Sequence, residues 1–355
     1  MPSVDIKSMF LDEIITDFEK LSLPPYKAKQ VFRWLSKGAQ NFDEMSDLSI
    51  ELRNTLKTKY YISKVNIEKK LISAYDGTIK YLFKLDDGEY IESVIMKYHH
   101  GYSICISTQV GCKMGCKFCA TGKSGFSRNL TPAEMLSQVQ TAELDNNIRI
   151  SNIVLMGMGE PLDNYDNVVR FLKLVSSPDG MNIGMRHISL STCGIIDKIY
   201  DLAKEKFQLT LSVSLHAPNN VIRNKIMPIN NGFDIDELLK ACRFYIEKTN
   251  RRISFEYAMI SGLNDSTECA LELSKKLRSM LCHVNLIPVN SSGDNDGYKK
   301  SDWKALENFS GVLLKTGIPV TVRRTLGSDI NASCGQLRRN IGQKRGRFSE
   351  NIRKN

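Results

Sequence analysis

The spacing of apolar residues changes twice along the chain. Up to about residue 60 it is helical: Tyr26–Leu35 puts Val31, Trp34 and Leu35 on one face, just after Pro24-Pro25. Trp34 and Phe32 read as core packing, and Lys27, Lys29, Arg33 and Lys37 as a solvated basic face. From Asn66 to Met96 the period falls to two, and Asp76-Gly77 and Asp87-Gly88 supply tight turns. This predicts a small antiparallel sheet between the helical module and the rest.

Beyond about residue 98, β-like runs at 102–107, 150–156, 187–191, 209–215, 253–259, 283–288 and 320–324 alternate with amphipathic stretches. Thr131-Pro-Ala-Glu134 is a capping box with proline at the first helical position, leading into the Met135, Val139, Ala142 face. Asp234-Ile-Asp-Glu237 repeats that start signal before Leu238, Leu239 and Cys242. Repeated strand-then-helix units predict an α/β fold with a parallel sheet and outer helices, and six units rather than eight predict a partial (β/α)6 barrel. Chemistry is then expected at the C-terminal ends of the strands.

With 42% apolar residues among 355, the chain is too hydrophobic for a disordered protein. No apolar run approaches the roughly 20 residues of a membrane span, and the start Met1-Pro-Ser-Val lacks the pattern of a secretory signal. A cytoplasmic protein is expected. Lys plus Arg number 49 against 39 Asp plus Glu, a net charge of +10, which favours a polyanionic partner. Basic residues gather over 337–355, where Arg338, Arg339, Lys344, Arg345, Arg347, Arg353 and Lys354 face one acid, Glu350. Such a segment serves either as a phosphate-binding or as a solubilising tail. Arg323 and Arg324 lie nearer the expected site.

The nine cysteines alter the picture most. Cys193, Cys242, Cys269 and Cys282 lack ligand spacing and read as packing residues. Cys112, Cys116 and Cys119, in Gly111-Cys-Lys-Met-Gly-Cys-Lys-Phe-Cys119, have Cys-x3-Cys-x2-Cys spacing and follow the first barrel strand. Three thiolates suit zinc or an iron-sulfur cluster. A structural zinc asks for a fourth ligand, which only His99 or His100 offers from upstream, and a zinc-dependent RNA-binding module is the reading from another class. Three ligands for a four-iron cluster leave one iron open to a substrate.

The motif resembles that of the radical S-adenosylmethionine (SAM) enzymes. In that family the open iron of a [4Fe-4S] cluster binds SAM by its amino and carboxylate groups, and the reduced cluster cleaves it to a 5′-deoxyadenosyl radical. With Cys105–Cys112, Met156-Gly-Met-Gly-Glu-Pro-Leu162, Ser214-Leu-His-Ala-Pro218, Met227-Pro-Ile-Asn230 and Cys334-Gly-Gln-Leu337, nearly the whole chain resembles the radical SAM RNA adenine C2-methyltransferases, dual-specificity enzymes acting on 23S rRNA and tRNA. Their relatives methylate C8 of the same adenine, but Val110 and Pro161 look like the C2 enzymes.

The resemblance implies an N-terminal helical RNA-recognition module over 1–65, a β-hairpin region over 66–97, the radical SAM barrel over 98–336 and the basic tail over 337–355. It implies SAM contacts at Gly159, Glu160, Ser191, Ser214, Leu215, His216 and Asn290, each at or just past a predicted strand end. The resemblance further implies a mechanism in which two SAM molecules are consumed per turnover. One methylates Cys334, the other yields the radical that takes a hydrogen from the S-methyl group, and the carbon radical adds to the base. Cys105 then resolves the adduct through a transient disulfide with Cys334, and Glu92 is the proton acceptor. Read alone, Cys105 is a small buried strand residue and Glu92 a surface carboxylate. Adenine C2 must leave its stack to react. A flavodoxin- or ferredoxin-like electron donor and a monomeric state are also expected.

Overall fold

We describe the chain from a computed structural model covering residues 4–123, 125–289, 297–330 and 332. Elements run in the order β1 (Val4–Asp5), α1 (Leu11–Lys20), α2 (Pro25–Ser36), α3 (Ile50–Lys59), β2 (Tyr60–Tyr61), β3 (Asn66–Ile72), β4 (Ile79–Lys84), β5 (Tyr90–Tyr98), β6 (Gly101–Cys105), β7 (Gln109–Gly111), α4 (Ala120–Lys123), β8 (Phe126–Asn129) and α5 (Pro132–Asn146). Then follow β9 (Ile150–Leu155), α6 (Tyr165–Val175), β10 (Ile188–Thr192), α7 (Ile196–Lys204), β11 (Thr210–Ser214), α8 (Asn220–Ile226), α9 (Ile235–Thr249), β12 (Ile253–Met259), α10 (Thr267–Leu277), β13 (Cys282–Pro288), α11 (Trp303–Lys315) and β14 (Val320–Val322).

Strands β6 and β9 to β14 lie parallel in chain order, with at least one helix between each and the next. This is the expected α/β barrel, with a short seventh strand at its far edge. Helix starts follow the local chemistry. On α5, Thr131 Oγ1 accepts the Glu134 N–H at 3.2 Å and Glu134 returns a carboxylate oxygen to the Thr131 N–H at 2.9 Å. Asp234 likewise caps α9. The apolar stripe of α6 faces inward, and the fully buried Phe171 and Leu172 each contribute about 1.5–3 kcal/mol of hydrophobic stabilisation.

The antiparallel strands occur where the alternation placed them, but they do not form a separate layer. β3, β4 and β5 continue the barrel sheet, with β5 pairing antiparallel to β6 through Val94 and Cys105. One ten-stranded sheet therefore runs from the hairpins to β14. A second, two-stranded antiparallel sheet joins β7 to β8 beside the cysteine loop.

The N-terminal helices share one hydrophobic core with the barrel. Helix α2 begins at Pro25, which takes the first helical position where proline is favoured. Val31, Phe32 and Leu35 are buried, whereas Trp34 is half-buried and donates its indole N–H to Asp47 at 2.6 Å. Polar residues of α5 fasten this module. Gln140 donates to the Leu35 carbonyl, and Lys7 donates to Ser137, which in turn donates to the Ser63 carbonyl. Among the described residues no helix is long and apolar enough to cross a membrane.

Candidate active site

Two adjoining cavities open at the C-terminal ends of the parallel strands. The first, about 350 Å³, brings together Cys112, Cys116 and Cys119 with Gly159, Glu160, Ser191, Ser214 and His216. Leu215 does not line this cavity; its side chain is fully buried in the main core. Its N–H donates to the Glu256 carbonyl and its carbonyl accepts from Arg223. Asn290 and Cys334, like the basic tail over 337–355, lie outside the described residues.

Glu160 is held tightly. Its carboxylate accepts the N–H of Cys193 at 2.7 Å and that of Leu162 at 3.0 Å, while its own N–H donates to Gln109. Burial pushes the carboxyl above its ordinary range, and these N–H groups oppose the shift. Gly159 sits at φ +103° with its α-carbon against Gln109, where a β-carbon would come within 2.5 Å of that side chain. His216 also has a positive φ, +56°. Its Nδ1 accepts the Ala258 N–H at 2.9 Å, so the neutral ring carries its hydrogen on Nε2. Burial and the nearby Arg223 push its pKa down to about 3. The ring stands edge-on to Phe118 of the cysteine loop, centroids 4.9 Å apart.

The second cavity, about 390 Å³, is lined by Glu92, Cys105, Arg323, Arg324 and Ala332. Met156, Gly157, Ile287, Pro288 and Arg323 border both cavities and so form a common wall. Gly157 packs directly on the chain after β6: a β-carbon there would lie 2.4 Å from the Ile106 carbonyl oxygen. Glu92 is not the surface carboxylate that its sequence context suggests. It is 2% exposed and ion-paired at 3.0 Å with Lys80, itself fully buried on the neighbouring strand β4. The segment after β14 crosses to the β3–β4 turn, where Gly327 donates to Asp76 and Asp329 accepts from Ser73 and Ala74. Those bonds bring Ala332 to the cavity mouth.

Two family models match the chain: the ribosomal RNA large subunit methyltransferase N-terminal domain over residues 4–62, and the radical SAM superfamily over 106–273. A probable dual-specificity RNA methyltransferase RlmN from Clostridium novyi (strain NT) is 55% identical over 337 residues, 95% of this chain and 98% of that protein. The chain belongs to the RlmN family of radical SAM RNA methyltransferases. Its counterpart from Alkaliphilus oremlandii is 52% identical over 96% of this chain and 98% of its own. A radical SAM methyltransferase from Sphaerobacter thermophilus has the same fold, with TM-score 0.89 and 40% identity over 94% of this chain and 99% of its own.

RlmN membership implies SAM and a [4Fe-4S] cluster, and the cysteine loop fits that cluster chemically. Burial pushes the Cys112 thiol up to about 12 and raises Cys116 as well, and the neighbouring cysteines add to both shifts. Three thiolates so placed are stable only against positive metal, so loading releases protons. Among the described residues no group of three or more His, Cys, Asp or Glu is placed to hold a single metal ion. Cys112, Cys116 and Cys119 instead border one cavity, a donor set suited to three separate irons.

Several residues that build this RlmN site were missed in the sequence. Arg223 is fully buried and donates to the carbonyls of Leu215, Cys193 and Ser214 and to Asn230, tying the ends of β10 and β11 to the segment behind the cysteine loop. Asn264 donates to the carbonyls of His216 and Ala258. Neither carries a local signal. Glu256 does: a carboxylate inside the wholly buried strand Ile253–Met259, held by Ser254 and Asn285, lines the first cavity.

Among the described residues all the cysteines are free thiols. Burial pushes the Cys105 thiol up to about 11, opposed first by Arg323 and then by the Met156 backbone and Lys80. Roughly one molecule in a thousand is therefore thiolate at pH 8. Alkylation of the Cys105 peptide by iodoacetamide, followed by mass spectrometry, is expected to accelerate about tenfold per pH unit up to about pH 11. It should slow further in Arg323→Gln.

Proposed function

We propose that this enzyme adds a methyl group to C2 of adenosine in 23S rRNA, at the peptidyl transferase centre, and in tRNA, at the adenosine 3′ of the anticodon. The observation that carries this reading is the common cavity of Cys105 and Glu92, walled off from the SAM-type cavity only by a few shared residues. Ala332, two residues before Cys334, lines it too.

C2 carries a non-acidic hydrogen, so simple displacement at a methyl sulfonium does not serve it. When bound, the cluster supplies the electron that splits one of the two SAM molecules to an adenosyl radical, the electron coming from an external donor. Cys334 takes its methyl group from the other SAM by ordinary displacement. Loss of a hydrogen atom from that S-methyl group leaves a carbon radical that bonds to C2. Glu92 accepts the C2 proton, and the one electron left on the base adduct as that proton leaves passes to a one-electron acceptor, a role the oxidised cluster would supply when bound. The Cys105 thiolate then attacks the Cys334 sulfur: an S–S bond forms, the S–CH2 bond breaks, and the released carbon takes up a proton to complete the methyl group.

The test is mass spectrometry of nucleosides after anaerobic incubation with unmodified rRNA and, separately, tRNA. The expected product is 2-methyladenosine; exclusive 8-methyladenosine would overturn the assignment.

The Glu92–Lys80 pair adds a prediction. Glu92→Gln removes the proton acceptor and should slow single-turnover methyl transfer by about 10²–10⁴. It also removes the carboxylate paired with the buried Lys80 ammonium, at a cost of about 3–5 kcal/mol in unfolding free energy. Adding Lys80→Met should restore the melting temperature and leave the rate low, whereas recovery of both would show that Glu92 acts only in folding.

A further inference from the structure

The turn joining β5 to β6 follows Tyr98, which lines the second cavity, and has no part in the scheme above. Tyr98 pairs with Gly101, so His99 and His100 form a two-residue turn. Gly101 takes the positive φ, +117°, and packs so closely on Ser151 of β9 that a β-carbon would fall 2.4 Å from the serine oxygen. The turn is therefore braced against the barrel. On it the Tyr98 and His100 rings stack at 5.3 Å and 6° from parallel, and the His99 ring meets His100 edge-on at 4.9 Å.

Tyr98 lines the cavity and is still 40% exposed; both histidines are exposed. Lys97 lies over the Tyr102 ring at the foot of the turn, and Arg323 and Arg324 line the same cavity. Glu92, the one carboxylate among the described lining residues, is already paired with Lys80. A preformed aromatic step beside a cavity lined by two arginines fits an unstacked nucleobase on a phosphate backbone better than it fits an apolar protein surface. A base whose neighbour has left the stack needs a replacement partner, and this step stands beside the cavity that would take the departing base.

We propose that Tyr98 and His100 form a stacking platform for the RNA nucleotide that flanks the methylated adenosine, with Arg323 and Arg324 holding the adjoining phosphates. This rests on the reading of the second cavity as the target-base site.

The test uses the cluster-loaded full chain and an rRNA fragment bearing 2-aminopurine on the 5′ or the 3′ side of the target adenosine. Wild-type enzyme should quench one of the two probes. Tyr98→Ala should lose that quenching and raise KM for RNA about tenfold or more. RNA-independent release of 5′-deoxyadenosine from SAM should stay unchanged. Tyr98→Phe should behave as wild type, since it keeps the ring, and His100→Ala should weaken binding in the same direction.

Unchanged RNA binding in both Tyr98→Ala and His100→Ala overturns the platform, and so does equal loss in Tyr98→Phe, which would assign the effect to the hydroxyl. If Tyr98→Ala fails to fold, His100→Ala on the exposed turn decides alone. Wild-type enzyme that neither binds nor methylates the RNA would instead defeat the functional reading itself.

Discussion

Cys116→Ala is expected to yield a folded, colourless protein that releases no 5′-deoxyadenosine from SAM and methylates no RNA. Cys116 is the middle member of the triad and packs with Met114 and Phe118 on a small apolar cluster separate from the main core, so its loss leaves the barrel standing. Removing one of three thiolates deprives the cluster of a ligand that no other described cysteine on the loop replaces. Iron and acid-labile sulfide, assayed on anaerobic protein, should fall from about four of each per chain to near zero, and circular dichroism should be unchanged. Stoichiometric zinc in the wild-type protein, with no brown colour, would defeat the radical reading and favour a zinc-dependent RNA-binding module.

Cys105→Ala should purify with RNA covalently attached. The substitution removes one sulfur from a half-buried strand position flanked by Val94 and Val154, and leaves the strand pairing intact. Every step up to carbon–carbon bond formation remains possible, while the S–CH2 link to Cys334 has no thiolate to open it. Turnover is therefore expected to stop at one equivalent, with a nuclease-resistant nucleotide on the Cys334 peptide in mass spectrometry. Full methylation accompanied only by free RNA would contradict the resolving role. A double variant, Cys105→Ala with Cys334→Ala, should carry no RNA adduct.

Much of this was legible locally. Thr131 and Asp234 announce α5 and α9 because capping is decided within four residues, and the strand runs of the barrel stand out because strands buried on both faces read as continuous apolar runs. The Cys-x3-Cys-x2-Cys loop was legible for the same reason, since its ligands lie within eight residues. What the sequence hid was lateral. Alternation in β5 specifies which residues face inward but not that its neighbour is β6, so the hairpins looked like a separate sheet. Lys80 and Glu92 look outward-facing, each polar within an alternating strand, until β4 and β5 are set side by side with both inside. The bridges from Asp76 to Gly327 and from Asp329 to Ser73 span some 250 residues, beyond any local signal. Arg223 was invisible because its partners are backbone carbonyls, which have no sequence signature.

The wall shared by the two cavities has a pharmacological consequence. On the proposed assignment of the two cavities, and because Met156, Gly157, Ile287, Pro288 and Arg323 face both sides, a compound that fuses a SAM mimic to an adenine analogue would need only a short tether to fill both chambers. Its second half would then bind intramolecularly, at an effective concentration in the millimolar range. Enzymes whose donor and acceptor pockets lie far apart give an inhibitor no such leverage.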